Sequence, residues 1–203
     1  MTQFGIRESL PPVVKNLLIA NVLVFLAQFV FEQQGFAVSS LFALHPVQTG
    51  NFRIWQLVSH MFMHGDIFHI VFNMFGLWMF GRLLENYWGS KRFFQFYIIC
   101  GLIAGVAYLL TSDDGWAIGA SGAVMGIFAA FAYLFPNTPL YLMFIPIPIK
   151  AKWAMPGLIL IDVFGAIAPQ TGDNVAHWAH IGGAVAGLCL VLIWNKKNRK
   201  TFY

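Results

Sequence analysis

Long apolar runs separated by short polar segments dominate this chain. Six runs are long enough to cross about 30 Å of hydrocarbon as helices, and they cover residues 16–31, 67–87, 92–111, 119–135, 153–169 and 175–194. The fourth and fifth are near the lower length limit, and we expect Pro156 in the first turn of the fifth, where its missing N–H costs little. The pattern predicts an all-α membrane protein, a six-transmembrane-helix bundle.

Two connecting segments are longer than the others. Residues 32–66 contain many apolar and aromatic residues, so we expect a first outer loop that is associated with the membrane. Residues 136–152 contain prolines at positions 139, 146 and 148 and cannot be helical throughout. We expect them to connect the fourth and fifth spans at the opposite, cytoplasmic face of the membrane.

Composition supports this membrane class. The chain has 203 residues, of which 59% are hydrophobic and 10% charged, which excludes an ordinary water-soluble globule. The net charge of +4 does not indicate nucleic-acid binding, because the basic residues alternate with apolar runs. Cys100 and Cys189 lie inside apolar runs, where we expect free, packed thiols. We expect one domain over residues 1–203, with no additional soluble domain and no soluble partner.

The distribution of basic residues indicates how the chain is oriented in the membrane. Eleven fall on the side of the termini and one, Arg53, on the other. The eleven are Arg7, Lys15, Arg82, Lys91, Arg92, Lys150, Lys152, Lys196, Lys197, Arg199 and Lys200. This bias predicts cytoplasmic termini. We expect the membrane to be a prokaryotic cell (inner) membrane. The first run lacks a signal-peptide cleavage site and is expected to be a retained span.

The same orientation places the histidines together. All six, His45, His60, His64, His69, His177 and His180, fall at or near the outer face, with the start of the fourth span. That start is Gly119-Ala120-Ser121-Gly122. A serine in the first turn of a helix lies near free N–H groups and the positive end of the dipole, which favour negative charge. The alternative is that these small residues serve only helix packing.

Two ridges of small residues predict which helices meet. They are Gly122-x-x-x-Gly126 in the fourth run and Ala179-x-x-x-Gly183-x-x-x-Gly187 in the sixth. Packing of these ridges would bring Ser121 and His180 within reach of each other.

Further polar residues lie inside the predicted spans. His69 and Asn73 share a helix face and can both donate hydrogen bonds. A serine, a base and convergent donors are what acyl transfer requires. Each residue taken alone also fits a hydrogen bond between helices. Asp162 is the one acid at middle depth, and we expect it to make a structural hydrogen bond to a neighbouring helix rather than to act in catalysis.

These motifs closely resemble the rhomboid intramembrane serine proteases. The resemblance rests on Gly119-Ala120-Ser121-Gly122, His69-x-x-x-Asn73 and Ala179-His180-x-x-Gly183, and it covers essentially the whole chain. It implies that Ser121 is the nucleophile and His180 the general base and acid, a dyad without a carboxylate. It also implies an oxyanion hole made by His69, Asn73 and the Ser121 backbone N–H, with Gly119 beside it.

The resemblance extends to support and substrate entry. It implies that His60 and His64 are structural or line a water-filled cavity, and His177 adds to the polar pocket. Trp153 and Phe164 are candidate gate residues, although residues of this kind usually just face lipid. The expected substrates are transmembrane proteins with helix-breaking, small-residue segments. We also expect contacts with membrane lipids and no cofactor.

One position departs from the family pattern. Many members have Trp-Arg in the first outer loop, where this chain has Trp55-Gln56. How the loop is anchored is therefore left open.

Four other classes of protein fit the sequence less well. The pairs His60/His64 and His177/His180 could bind zinc or haem, but no His-Glu-x-x-His motif is present, so we expect no metal. An aspartyl protease would need a second membrane-embedded acid, and a transporter would show pseudo-symmetric halves. A non-catalytic relative that binds helices would tolerate loss of Ser121 or His180, and both residues are present.

Overall fold

The computed structural model describes residues 10–141, 148–168 and 175–199. Arg7, Pro146 and Lys200, used in the sequence predictions, lie outside these ranges. The helices are α1 (Pro12–Gln33), α2 (Val38–Phe42), α3 (Gln56–Ser59), α4 (Ile67–Gly76), α5 (Arg82–Trp88), α6 (Ser90–Thr111), α7 (Ser121–Leu134), α8 (Ala151–Ile167) and α9 (His177–Arg199). The π-helical turn Leu77–Gly81 joins α4 to α5, and two short strands, β1 (Pro139–Leu140) and β2 (Ile149–Lys150), pair antiparallel. Single 3-10 turns cover Val47–Thr49 and His60–Phe62.

In the part of the chain that the structure describes, four helices are long and apolar enough to cross a membrane. They are Pro12–Gln33, Ile67–Trp88, Ser90–Thr111 and His177–Lys196, and α7 is a shorter apolar helix. Large apolar side chains face outward, for example Leu23 (60% exposed) and Phe68 (69% exposed). Such exposure is costly in water and favourable in lipid. The protein is therefore an integral, multi-pass membrane protein.

The helix bounds follow the apolar pattern with small differences. The fifth run, predicted to begin at residue 153, is helical from Ala151, because the strand pair ends at Lys150 and starts the helix there. Pro156 consequently lies inside α8, at its sixth residue, and the prediction of a first-turn proline was wrong. The Lys152 carbonyl loses the N–H of residue 156 as its i+4 donor.

Helix α7 lies at the centre of the bundle. Most of its residues are buried, and it packs between α6, α9 and the turn Leu77–Gly81. The predicted ridges meet as expected. A Cβ added at Gly187 would lie 2.6 Å from the Gly126 Cα, and one added at Gly126 would lie 3.0 Å from the Gly183 carbonyl oxygen. Only glycines allow α7 and α9 to approach this closely.

The segment between α1 and α4 packs over one end of the bundle. Leu44 and Ala117 exchange backbone hydrogen bonds of 2.9 Å, and the Gly119 N–H donates to the His60 carbonyl at 2.8 Å. These contacts tie this loop to the residues before α7. Gln28 of α1 adds a further tie, because its amide bonds both the N–H and the carbonyl of His64, at 3.2 and 2.8 Å.

The buried carboxylate of Glu85 stabilises the packing of helices away from the outer loop. Glu85 of α5 accepts hydrogen bonds from the N–H groups of Val13 and Val14 at 2.9 and 2.8 Å, and from Ser90 Oγ at 2.7 Å. The first N–H groups of a helix lack partners within it, so Glu85 caps α1. This carboxylate therefore joins three helices.

Candidate active site

Ser121 is the first residue of α7. Ala120 precedes it as the N-cap and makes no side-chain capping bond, so the first N–H groups of α7 are open to another acceptor. Gly119 has φ +119°, a conformation that favours glycine. The small residues therefore turn the chain sharply and leave Ser121 at the positive end of a buried helix.

His180 lies next to Ser121. Its Nε2 is 2.7 Å from Ser121 Oγ. His180 is in the first turn of α9, and the glycine contact between α7 and α9 places the starts of both helices side by side. The prediction that packing of the ridges would bring these two residues together is confirmed as geometry.

Asp162 of α8 contacts the other side of the same imidazole. Its Oδ1 is 2.8 Å from His180 Nδ1 and 2.8 Å from His177 Nδ1. The expected hydrogen bond to a neighbouring helix is present, and it goes to the histidine that contacts Ser121. The resemblance implied a dyad without a carboxylate, whereas this structure has a carboxylate on His180.

His69 and Gly119 lie together on the other side of Ser121. A Cβ added at Gly119 would lie 2.5 Å from His69 Nε2 and 3.6 Å from Ser121 Oγ. The Gly65 N–H donates to His69 Nδ1 at 3.4 Å, so the assigned tautomer carries its proton on Nε2. A donor therefore points to the space beside Gly119 and Ser121.

Asn73 lies one turn further along α4. It is 5% exposed, and its Nδ2 donates to the His69 carbonyl at 2.9 Å. This bond uses one of the two amide hydrogens. The shared helix face of His69 and Asn73 is as predicted.

His60 and His64 are buried in the loop above the bundle. Burial lowers the pKa of His60 to about 4, against the effect of its hydrogen bond with the Gln56 carbonyl, 2.7 Å from Nδ1. Burial and then repulsion from His69 lower the pKa of His64 to about 4. His64 packs edge-on against His69 at 5.1 Å between ring centroids. Both imidazoles are neutral at pH 7.

A small cavity lies behind the serine. Its volume is about 10 Å³, room for about one water. His60, Gly119, Ser121 and Ala179 are among its lining residues. Of the residues expected around a polar pocket, His60 and Ser121 line this cavity.

The remaining predicted residues divide into two groups. His45 stacks edge-on against Trp116 at 5.5 Å and donates from Nε2 to the Ser40 carbonyl at 2.7 Å, so its described contacts are within the outer loop and with Trp116. Trp153 and Phe164 on α8 are 67% and 71% exposed on the bundle surface. Among the residues that the structure describes, no group of three or more His, Cys, Asp or Glu is arranged to hold a metal ion.

Some supporting contacts were not predicted from the sequence. Gln56 is 1% exposed, and its amide bonds four backbone groups of the outer loop, those of Leu41, His45, Asn51 and Arg53. The position that departs from the family pattern thus holds several parts of the loop together, in addition to the loop's contacts with α1 and the residues before α7. The available signal was a polar residue in an apolar segment, as also for Gln28 and Glu85.

The family model for the Rhomboid domain matches residues 51–197. The chain is 33% identical to RHOMBOID-like protein 12, mitochondrial, of Arabidopsis thaliana, over 94% of this chain and 60% of the relative. It is 29% identical to Rhomboid protease GlpG of Salmonella choleraesuis (strain SC-B67) and of Salmonella newport (strain SL254), over 96% of this chain and 67% of each relative. The chain thus spans between 60% and 67% of the length of these relatives.

The matched residues include α3 through most of α9, and so every residue of the arrangement around Ser121. The match covers well over half of the chain. The chain therefore belongs to the rhomboid family.

Proposed function

We propose that this protein is an intramembrane serine endopeptidase that hydrolyses peptide bonds in or near transmembrane segments. Family membership and the relatives named rhomboid proteases indicate an intramembrane serine protease. The observation that carries the proposal is the 2.7 Å contact between Ser121 Oγ and His180 Nε2. A nucleophile within hydrogen-bond reach of a base is the basis of covalent acyl transfer.

The reaction proceeds in two halves. His180 Nε2 takes the Ser121 hydroxyl proton while Oγ bonds to the substrate carbonyl carbon. Collapse of the tetrahedral intermediate breaks the C–N bond, and His180 gives the proton to the leaving amine. Water then attacks the acyl-enzyme with His180 as base, releasing the acid and restoring Ser121. A site at the membrane needs access to water for this step.

The developing oxyanion requires donors close to Ser121. In this proposal they are the His69 Nε2–H, the Ser121 backbone N–H and the Asn73 amide. Gly119 keeps the space between His69 and Ser121 open, because a Cβ there would lie 2.5 Å from His69 Nε2. Donors fixed in a low-dielectric site stabilise the transition state strongly. His60, His64 and His177 support this arrangement.

The proposed topology is a single domain of six spans with cytoplasmic termini, in a prokaryotic inner membrane. The Arabidopsis relative is named as mitochondrial, so the alternative is an organelle membrane. Helix α7 has 14 residues and is about 21 Å long, shorter than the hydrocarbon layer of about 30 Å. The short α7 is compatible with the thicker hydrocarbon layer if it is buried in the bundle and begins below the outer surface of the membrane. In this proposal Ser121 lies within the membrane.

The proposed substrates are transmembrane proteins, since a helix must unwind locally before its carbonyls can be attacked. Segments with helix-breaking and small residues unwind at the lowest cost. Trp153 and Phe164, exposed on α8, are the candidate gate residues for entry from the lipid.

The test compares Ser121→Ala with the parent in liposomes that contain a single-span reporter. We expect cleavage and fluorophosphonate labelling to be lost in Ser121→Ala and kept in Ser40→Ala, a matched change in the outer loop. Full cleavage by Ser121→Ala would overturn the serine mechanism. Loss of cleavage with chelators, with Ser121 unlabelled, would favour a metal enzyme instead. Reporter binding without turnover in the parent would indicate a non-catalytic relative.

A further inference from the structure

Asp162 is a buried acid in the second half of the apolar helix α8. It is 7% exposed and lies five residues before the end of α8, close to the starts of α7 and α9. Isolated charges in this environment are costly, so acids there are paired or functional. Asp162 is paired with two histidines that are one turn apart on the same face of α9.

These contacts determine how His180 is protonated. A carboxylate oxygen accepts hydrogen bonds, so the His180 Nδ1 at 2.8 Å donates to Asp162. A neutral imidazole with its proton on Nδ1 has a free lone pair on Nε2. Nε2 therefore accepts the hydrogen bond from Ser121 Oγ at 2.7 Å. This is the direction of proton transfer that a nucleophilic serine requires.

We propose that Asp162 is a positioning residue that completes a Ser121–His180–Asp162 chain. The proposal rests on the proposed serine protease function. Asp162 holds His180 in the Nδ1–H tautomer, aims Nε2 at Ser121, and stabilises the imidazolium that forms when Nε2 takes the serine proton. The proton stays on His180, and Asp162 keeps its charge throughout.

His177 fixes the carboxylate in this position. Its Nδ1 is 2.8 Å from the same Oδ1, and its ring lies against Gly165 on α8. A Cβ added at Gly165 would lie 2.7 Å from His177 Cδ2. The small residue at position 165 thus lets His177 dock one turn from Asp162, and together they hold α8 against α9 beside the site.

A purely structural link between α8 and α9 is the competing explanation, and Asp162→Asn separates the two. An amide has nearly the same volume and still hydrogen-bonds both histidines. It can also donate to Nδ1, which favours a proton on Nε2 and removes the base. A structural role therefore predicts nearly normal turnover, and the positioning role predicts loss of turnover.

The experiment uses the full chain in detergent micelles with a single-span reporter peptide. We expect Asp162→Asn to lower kcat by about 100- to 10,000-fold with KM within threefold. Asp113→Asn, the same change in an exposed loop, leaves both unchanged. Asp162→Glu, which keeps the charge, retains more turnover than Asp162→Asn. The midpoint of thermal unfolding shows that each variant is folded.

A spectroscopic measurement reports the tautomer directly. With ¹⁵N-labelled histidine, His180 in the parent shows a protonated Nδ1, and in Asp162→Asn the proton moves to Nε2. His180→Gln assigns the signals. This readout is independent of turnover and does not change if Asp162 only joins two helices.

The outcomes distinguish the two proposals. Turnover by Asp162→Asn within threefold of the parent, with an unchanged His180 tautomer, overturns the role of Asp162. If Ser121→Ala is inactive in that case, the serine protease function stands without it. If Ser121→Ala is active, the protease mechanism itself fails.

Discussion

Gly183 of α9 rests directly against the backbone of Gly122 in α7. A Cβ added at Gly183 would overlap the Gly122 carbonyl oxygen and lie 3.1 Å from the Gly122 Cα. Because Ser121 precedes Gly122 and His180 lies one turn before Gly183, this contact sets the distance between the two side chains. The close approach of the helices thus positions the proposed dyad.

Gly183→Ala is expected to separate α7 from α9. The added methyl group cannot be accommodated by a rotamer change, since the atoms it meets are backbone. We expect a loss of about 1–3 kcal/mol in stability and about 100-fold in cleavage, because misplacement by 1 Å is enough for that loss. Thermal unfolding and reporter cleavage measure both effects.

Gly157→Ala is the matched control for that change. It lies in α8, and a Cβ there meets nothing within 4 Å. It should leave stability and cleavage close to those of the parent. Equal effects of the two substitutions would contradict the role of the Gly122–Gly183 contact.

Gly119→Ala should impair the proposed oxyanion hole. At φ +119° an alanine is strained by about 1–3 kcal/mol, and its Cβ would displace the His69 ring. We expect kcat to fall by about 100-fold or more. Gly65→Ala is the control, because its Cβ would make ordinary contacts of 3.6 Å to Ile118 and 3.9 Å to His69. Normal kcat in Gly119→Ala would show that His69 does not act from this position.

Gln56→Ala should release the outer loop. It leaves two N–H groups and two carbonyls of the loop without their partner. An unsatisfied buried group, such as the His45 N–H, costs about 1–3 kcal/mol. Hydrogen exchange should become faster over residues 41–56, with a lower thermal midpoint. Gln48→Ala, an exposed glutamine in the same loop, should change neither. Unchanged exchange in Gln56→Ala would mean that another contact anchors the loop.

Acid should destabilise the fold through His60 and His64. Each has a pKa of about 4 in the folded protein and 6.5 as the ordinary value, so the unfolded chain binds more protons between these values. The contribution of these two histidines to the free energy of unfolding is therefore greatest above pH 6.5, and it decreases as the pH drops from 6.5 towards 4. Each histidine contributes on the order of 3 kcal/mol to this fall.

His64→Leu tests this pH dependence. It removes one of the two groups. The side-chain hydrogen bond that is lost is the 3.3 Å bond between His64 Nδ1 and the Phe62 carbonyl, since Nε2 has no partner in the described structure. The thermal midpoint of the variant, measured from neutral pH to about pH 4, should fall less steeply than that of the parent. A parallel decline in both proteins would exclude His64 as the acid-sensitive group.

Local features of the sequence predict the helices and part of the site. The apolar runs place α1, α4 to α6, α7, α8 and α9 within a few residues, because the membrane requires long apolar helices. The small-residue ridges predict that α7 meets α9, since glycine spacing defines a packing face on each helix. The motif around Ser121 predicts that this serine is the nucleophile, and that role remains part of the proposed function.

Long-range polar contacts are not determined in this way. Gln28, Gln56 and Glu85 each bond backbone groups far away in sequence, and no local pattern indicates which groups those are. Pro156 was misplaced because the helix start depends on the β1–β2 pair, which joins residues 11 positions apart.

The sequence by itself determined that apolar helices traverse a membrane and that Ser121 and His180 lie on faces able to meet. Only the tertiary structure decided that Asp162 contacts His180, because the rotation of α8 about its axis selects which of its faces meets α9. Apolar side chains cover most of α8, so hydropathy does not specify that rotation. That rotation is specified by Asp162 Oδ1, which lies 2.8 Å from Nδ1 of both His177 and His180 on α9.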